Sequence, residues 1–290
     1  MIRNASLARK LWSRLEPIHA VTYFSPEPVS ALADAGYKGF WMGYFAGRAA
    51  PLGPVGPDVV FATFYNFALT HVARAIPDAW AFAPPGEALR ARLAGSVAAL
   101  RRAFEPSDLD TTVRKAAELA SAAAKSAPME GRTLYAANRA LAWPEEPVAA
   151  LWHACTLLRE HRGDGHVAAL TAAGIGGRES HVIQAGAGIV SREIFAVARR
   201  YDEAEWQRVS GGLVERGLLY QDGTLTARGT DLRTDVEDRT DRLALSAFDS
   251  LDDEELHELV EALDRLARAV VDSGDLPKVT PIGVRLDLTP

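Results

Sequence analysis

Residues Leu213–Gly229 read LVERGLLYQDGTLTARG. Leu213 and Val214 continue an apolar helical face, and Gly217 ends that helix because glycine accepts the left-handed backbone of a helix C-terminus. Leu218 and Leu219 open an extended segment, Asp222-Gly223 is a turn pair suited to a hairpin, and Leu225 leads the chain back. Thr226 and Gly229 stand at the start of a further helix. The stretch predicts the end of one helix, a two-stranded hairpin and the beginning of another helix.

Upstream, Asp202 with Glu205 three residues later has the spacing of a helix cap, so a helix is expected from there to about Gly217. Downstream, DLRTDVEDRTDRLALSAFDSL and DDEELHELVEALDRLARAVV give two more, the second with Leu256, Leu259, Val260, Leu263, Leu266 and Val270 at helical spacing. Near the N-terminus, residues 3–15 form an amphipathic helix with Leu7, Leu11 and Leu15 on one side, and Ser25-Pro26-Glu27 starts a helix that ends near Gly36. Helical periodicity dominates the chain, and the predicted class is mostly α.

The 213–229 stretch resembles the winged helix-turn-helix of MarR-type regulators, whose corresponding segment has an L-x-x-x-G-L pattern, a wing and an L-T-x-x-G helix start. Leu213, Gly217, Leu218, Leu225, Thr226 and Gly229 occupy those positions. The chain is identified as a member of an actinobacterial-type helix-turn-helix family distantly similar to MarR proteins, with the likeness concentrated in residues 190–250. The resemblance implies a recognition helix at 202–217, a short β-hairpin wing and a ligand cleft between the reading domain and a helical dimerisation region.

Comparing the chain with itself suggests a duplication. EALRARLAGSVAAL from Glu87 matches EAEWQRVSGGLVER from Glu203 at Glu87/Glu203, Ala88/Ala204, Arg92/Arg208 and Gly95/Gly211, and Leu109 falls opposite Leu225. FWMGYFAGR, ending at Arg48, likewise resembles LWHACTLLR, ending at Arg159. The expected organisation is an N-terminal helix (1–15), a degenerate winged-helix-like half (16–145), a winged helix-turn-helix half (146–272) and a C-terminal tail (273–290) draped over the body. Such a chain is a monomer with an internal pseudo-twofold axis, or a homodimer.

At 290 residues and 48% hydrophobic, the chain can bury cores for two domains. Its net charge of −6 gives no global attraction to nucleic acid, so DNA contact requires a locally basic face. Between Arg192 and Arg216, however, Arg192, Arg199, Arg200, Arg208 and Arg216 are cancelled by Glu193, Asp202, Glu203, Glu205 and Glu215, and the wing tip Gln221–Thr224 has no cation. DNA binding through Arg199, Arg200, Gln207, Arg208 and Arg216 is therefore an alternative that local charge disfavours. The single Cys155 excludes an intrachain disulfide, suits a reducing cytoplasm and reads as a buried structural thiol. No uncharged apolar run approaches the roughly 20 residues that span a membrane, and a cytoplasmic protein is expected.

Two regions carry candidate ligand chemistry. Arg159, Glu160, His161, Arg162, Asp164 and His166, with Gly163 and Gly165 among them, read as a charged loop between two apolar helices, where Asp164 caps the second helix and its N-terminus favours an anion. Their spacing fits no zinc signature, and no metal is assigned. In the first half stand Trp41, Tyr44, Phe45, Arg48, a Pro/Gly loop, then Phe61, Phe64, Tyr65 and His71. Under the duplication these two regions face one another, giving a partly apolar pocket with Tyr44, Arg48, Tyr65, Arg159, Glu160, His161, Arg162, Asp164 and His166 as ligand-binding candidates. Small-molecule binding on a duplicated winged-helix scaffold is the expected function. A ligand-responsive DNA-binding regulator using residues 190–229 is the alternative, and an enzyme acting in the same cleft is the third reading. No nucleophile elbow, phosphate loop or dinucleotide fingerprint points to a reaction or a cofactor.

Overall fold

The structure is a computed structural model that describes residues 3–283. Fifteen α-helices run along the described residues: α1 (Ala5–Phe24), α2 (Pro26–Asp34), α3 (Gly39–Ala49), α4 (Pro57–Phe64), α5 (Leu69–Val72), α6 (Ala79–Phe82), α7 (Pro85–Phe104), α8 (Asp110–Ser126), α9 (Thr133–Arg139), α10 (Pro147–Ala172), α11 (Gly177–Gly186), α12 (Arg192–Arg199), α13 (Glu203–Glu215), α14 (Ala227–Leu245) and α15 (Asp253–Asp272). Among these residues no β-strand forms, and none of the helices is long and apolar enough to cross a membrane. The last residues of the expected tail, 284–290, lie outside the described residues.

Three apolar clusters organise the helices. The largest joins α1, α7, α8, α10 and α15. Asp252 and Glu255 close a capping box at the start of α15, and Leu256, Leu259, Leu263, Leu266 and Val270 are buried against α1 and α8. Burying each leucine contributes about 1.5–3 kcal/mol relative to leaving it in water. Ala116, Ala117, Ala120, Ala123 and Ala124 line the inner face of α8, and their small side chains let it lie closely along α10. A second cluster holds Phe45, Val60, Phe64, Phe67, Val72 and Ile76 of the α3–α6 region. The third holds Val182, Ile183, Phe195, Trp206, Leu213 and Leu218, binding α11–α13 into a lobe against α14 and the end of α10.

Several expectations change here. The N-terminal helix does not stop at residue 15: α1 continues to Phe24 with Pro17 inside it and buries Leu15, Ile18 and Val21. Residues 159–166 are not a loop; they lie within the 26-residue α10, although two glycines there each weaken a helix by about 1 kcal/mol. Tertiary burial outweighs that local cost, because α1, α8, α9 and α14 all pack on α10. Asp164 therefore cannot cap a following helix, and no helix N-terminus lies at this point to attract an anion.

The hairpin is reduced to a single antiparallel bridge, Leu219 to Leu225. Thr226 N donating to Leu218 O at 3.1 Å and Tyr220 N donating to Thr224 O at 2.9 Å close that bridge, while Leu225 N turns away from the hairpin and donates to Gly186 O at 3.3 Å. The flanking helices follow the expectation, with Gly217 at φ +68° and Asp202 Oδ1 accepting from Glu205 N at 2.7 Å. The proposed matching of the Glu87 and Glu203 segments places α7 opposite α13, but α7 is a 20-residue helix packed on α2 and the central bundle, whereas α13 is a 13-residue helix of the outer lobe. These two helices are not equivalent.

Candidate ligand cavity

A cavity of about 360 Å³ opens where the three clusters meet. Its walls come from α1, α3 and the turn after α4, from α10, from α11, α12 and α14, and from Pro281–Gly283. The aromatic part is supplied by Trp12, Tyr23, Phe40, Trp41, Tyr44, Phe64, Phe67 and Phe195. A concave site of this size with aromatic walls and a few convergent polar groups has the character of a small-molecule pocket.

Its charged groups are organised by pairing across elements. Glu160 of α10 is 2% exposed and accepts from Arg48 Nε and Nη2, each at 3.3 Å, and from Arg159 Nη1 at 2.9 Å. Burial alone would raise its pKa, but Arg159 and Arg48 outweigh burial and hold the carboxyl below the usual carboxylate range. Burial opposes the Arg48 charge in turn, and Glu160 overrides it, so its pKa is raised. Arg159 also meets Glu16 at 3.4 Å, and Glu16 accepts from Trp12 Nε1 at 3.0 Å. Beside them Arg162 donates to Asp241 Oδ1 at 2.9 Å while its guanidinium lies 4.1 Å from the Trp12 ring centroid. Arg9 reaches Asp241 and Glu237, at 2.7 and 2.8 Å. These ion pairs join α1, α3, α10 and α14, so they position the cavity walls as well as charging them.

Of the residues singled out from sequence, Tyr44, Arg48, Tyr65, Arg159, Arg162, Asp164 and His166 all line this cavity. Arg48 and His166, which are far apart in sequence, face the same space. Tyr65 is partly committed to fastening the wall, because its hydroxyl donates to Ile175 O at 2.5 Å. His166 Nδ1 lies 2.9 Å from Thr240 Oγ1, and burial lowers its pKa to about 4. Glu160 is not a lining residue; it stands behind Arg48 and Arg159.

His161 is removed from the cavity altogether. It is fully buried on another side of α10, edge-on to Tyr135 at a centroid distance of 5.2 Å. Helical spacing accounts for the split between it and His166. Among the described residues no three His, Cys, Asp or Glu side chains group as a metal site. Asp164 does act as a cap, but for α9: its Oδ2 accepts from Tyr135 N at 3.0 Å. The glycine next to it has a steric reason, since a Cβ on Gly165 would fall 2.1 Å from Arg132 Nη1, which donates to His161 O at 2.7 Å.

The α11–α13 lobe corrects one DNA-reading candidate. Arg199 is 7% exposed and lines the cavity beneath α12, so it has no access to a duplex. Arg216 pairs with Glu179 at 2.9 Å, and Gln207 donates to Glu203 at 2.9 Å. Arg200 and Arg208 remain exposed. Cys155 is buried, and burial pushes its thiol pKa up, which matches a structural role.

Sequence reasoning did not single out Arg9, Trp12, Glu16, His181, Arg233 or Glu237 for this cavity. One signal was present: polar Glu16 and His19 interrupt the buried side of an otherwise apolar helix, a pattern that calls for buried partners. A family model described as a helix-turn-helix family matches residues 8–277. No curated protein and no solved structure matches the chain.

Proposed function

The chain belongs to this helix-turn-helix family, and we propose that it binds a small molecule between its α11–α13 lobe and the central bundle. The observation that carries this reading is the cavity itself: it is walled by both halves of the chain, with aromatic side chains from α1 and α3 facing polar groups from α10–α12. The scaffold in this proposal is a duplicated, MarR-like one. Reciprocal packing supports it, since α15 lies on α1 as α8 lies on α10, and α14 lies on α1 as α7 lies on α10. In each half a 3₁₀ turn, Glu105–Ser107 or Ser246–Phe248, joins the two long helices α7 and α8 or α14 and α15. The proposed halves divide near residue 146, with α1 counted in the first and equivalent to α10.

The neutral fluorophore N-phenyl-1-naphthylamine tests the cavity. Saturable fluorescence enhancement near one site per chain is expected, abolished by Val167→Trp, whose indole fills the space beside α10. Enhancement that does not saturate, or that persists in a folded Val167→Trp protein, would overturn the reading. Family membership and the exposed Arg200 and Arg208 favour a second reading in which the lobe contacts DNA and the ligand modulates that contact. The acidic first turn of α13, with Glu203 and Glu205, weighs against strong phosphate contact.

A further inference from the structure

Most of the cations around the cavity have carboxylate partners. Arg9, Arg48, Arg159 and Arg162 are each paired, through Glu237, Glu160, Glu16 and Asp241. Arg199 differs. Among the described residues its Nη1 reaches only the carbonyl of the adjacent Ala198, at 3.1 Å, and its Nε has no partner. The guanidinium lies 4.5 Å from the Phe67 ring centroid, so an aromatic face supports it from one side. The groups that act on it most strongly are Tyr44 and Arg48 of α3, Tyr201 beyond α12, and Arg159 of α10, and no carboxylate is among them. Burial pushes its pKa down.

Other unsatisfied polar atoms gather around the same space. His181 Nε2 and Gln184 Oε1 of α11 and Arg233 Nε of α14 are buried without partners, and all three residues line the cavity. An arginine buried without a counter-ion costs stability, and a ligand that supplies the missing charge would offset that cost. We propose that the ligand has an aromatic body carrying an oxyanion, and that Arg199 is the residue that holds the oxyanion while Phe67 and its aromatic neighbours enclose the body. A carboxylate, a sulfonate and a phosphate ester share the required chemistry: planar or tetrahedral oxygens that accept two hydrogen bonds from one guanidinium. Arg199 is the last residue of α12, and Asp202, three residues on, caps α13, so the charge site sits at the entrance to the lobe's second long helix.

This inference rests on the cavity reading above and is tested separately from it. Isothermal titration calorimetry would compare 1-naphthoate, 1-naphthyl phosphate and neutral 1-naphthamide, which share one aromatic body. The wild type is expected to bind one or both anions at least tenfold more tightly than the amide, and whichever anion is preferred identifies the head group. Arg199→Gln and Arg199→Met, the second keeping an apolar stem against Phe67, are expected to lose that preference. Both should still admit N-phenyl-1-naphthylamine and melt no lower than the wild type, whereas Arg199→Lys keeps part of the preference. Equal binding of anion and amide while the neutral fluorophore enters, or an anion preference that survives in the Gln and Met variants, would overturn the proposal and leave the cavity reading standing. Failure of all four probes to enter would overturn both.

Discussion

Asp164 and the buried histidines pull the stability of this protein in opposite directions with pH. Burial raises the Asp164 carboxyl to about 7 from its ordinary 3.8, even though Tyr135 N–H donates to it. A group whose pKa is raised on folding contributes stability that is complete below its unfolded value and is lost as pH rises through its folded one. His71, His153, His161 and His166 are lowered by burial to about 4 from 6.5. Their contribution is complete above 6.5 and is lost as pH falls toward 4. The two changes span the same pH range, and four histidines outweigh one aspartate there, so stability falls on acidification from about pH 7 toward 4 while Asp164 offsets part of the fall. Asp164→Asn keeps an oxygen acceptor for Tyr135 N without the charge. Between about pH 7 and 4 its melting temperature is expected to fall more steeply than that of the wild type, which regains the Asp164 contribution as pH drops; parallel curves for the two proteins would contradict this assignment.

At the level of elements, the turn between α13 and α14 is stitched by few groups and has little room to adapt. Thr226 Oγ1 donates to Gly217 O at 2.7 Å and accepts from Gly229 N at 3.0 Å, and a Cβ on Gly229 would fall 2.1 Å from Leu218 O. Gly229→Ala must displace that carbonyl or the start of α14, and a loss of about 1–3 kcal/mol in chemical denaturation is expected. Gly211 offers the internal comparison: it lies within α13 with nothing near the position of a Cβ, so Gly211→Ala should stabilise by about 0.5–1 kcal/mol. Equal effects at the two positions would show that the close approach of Leu218 O carries no energy. The helix boundaries of this region were legible from sequence because their signals are local: Asp202, Gly217 and Thr226 act within a few residues of themselves, whereas the expected two-stranded wing is only a single bridge. The Arg159–His166 run was misread as a loop for the complementary reason. Glycines and charges argue locally against a helix, and what holds α10 together is its burial by five other helices and the fit of Arg132 over Gly165, none of which is encoded within the run.

For the molecule as a whole, the convergence of Arg48 and His166 on one cavity followed from pairing the aromatic segment of the first half with the charged segment of the second, although the residue matching behind that pairing linked helices of different standing. Arg199 could not be assigned to the cavity from sequence. On a linear chain it adjoins Arg200 in an apparently basic pair, and only the turn of α12 sends one guanidinium inward and the other out. That inward turn also limits what the lobe can do with DNA. Arg178, Arg192 and Arg216 are occupied by Glu205, Glu203 and Glu179, so Arg200 and Arg208 are the cations that the α12–α13 region leaves for phosphates. With two phosphate contacts, the logarithm of the binding constant should fall against the logarithm of salt concentration with a slope of about −2. Fluorescence anisotropy with a duplex from the promoter of its own operon is expected to show weak binding at low salt that fades by physiological ionic strength, and Arg200→Ala/Arg208→Ala should remove it. A slope several times steeper, or tight binding that survives the double substitution, would require a second basic surface and would move the balance from ligand binding alone toward a ligand-responsive regulator.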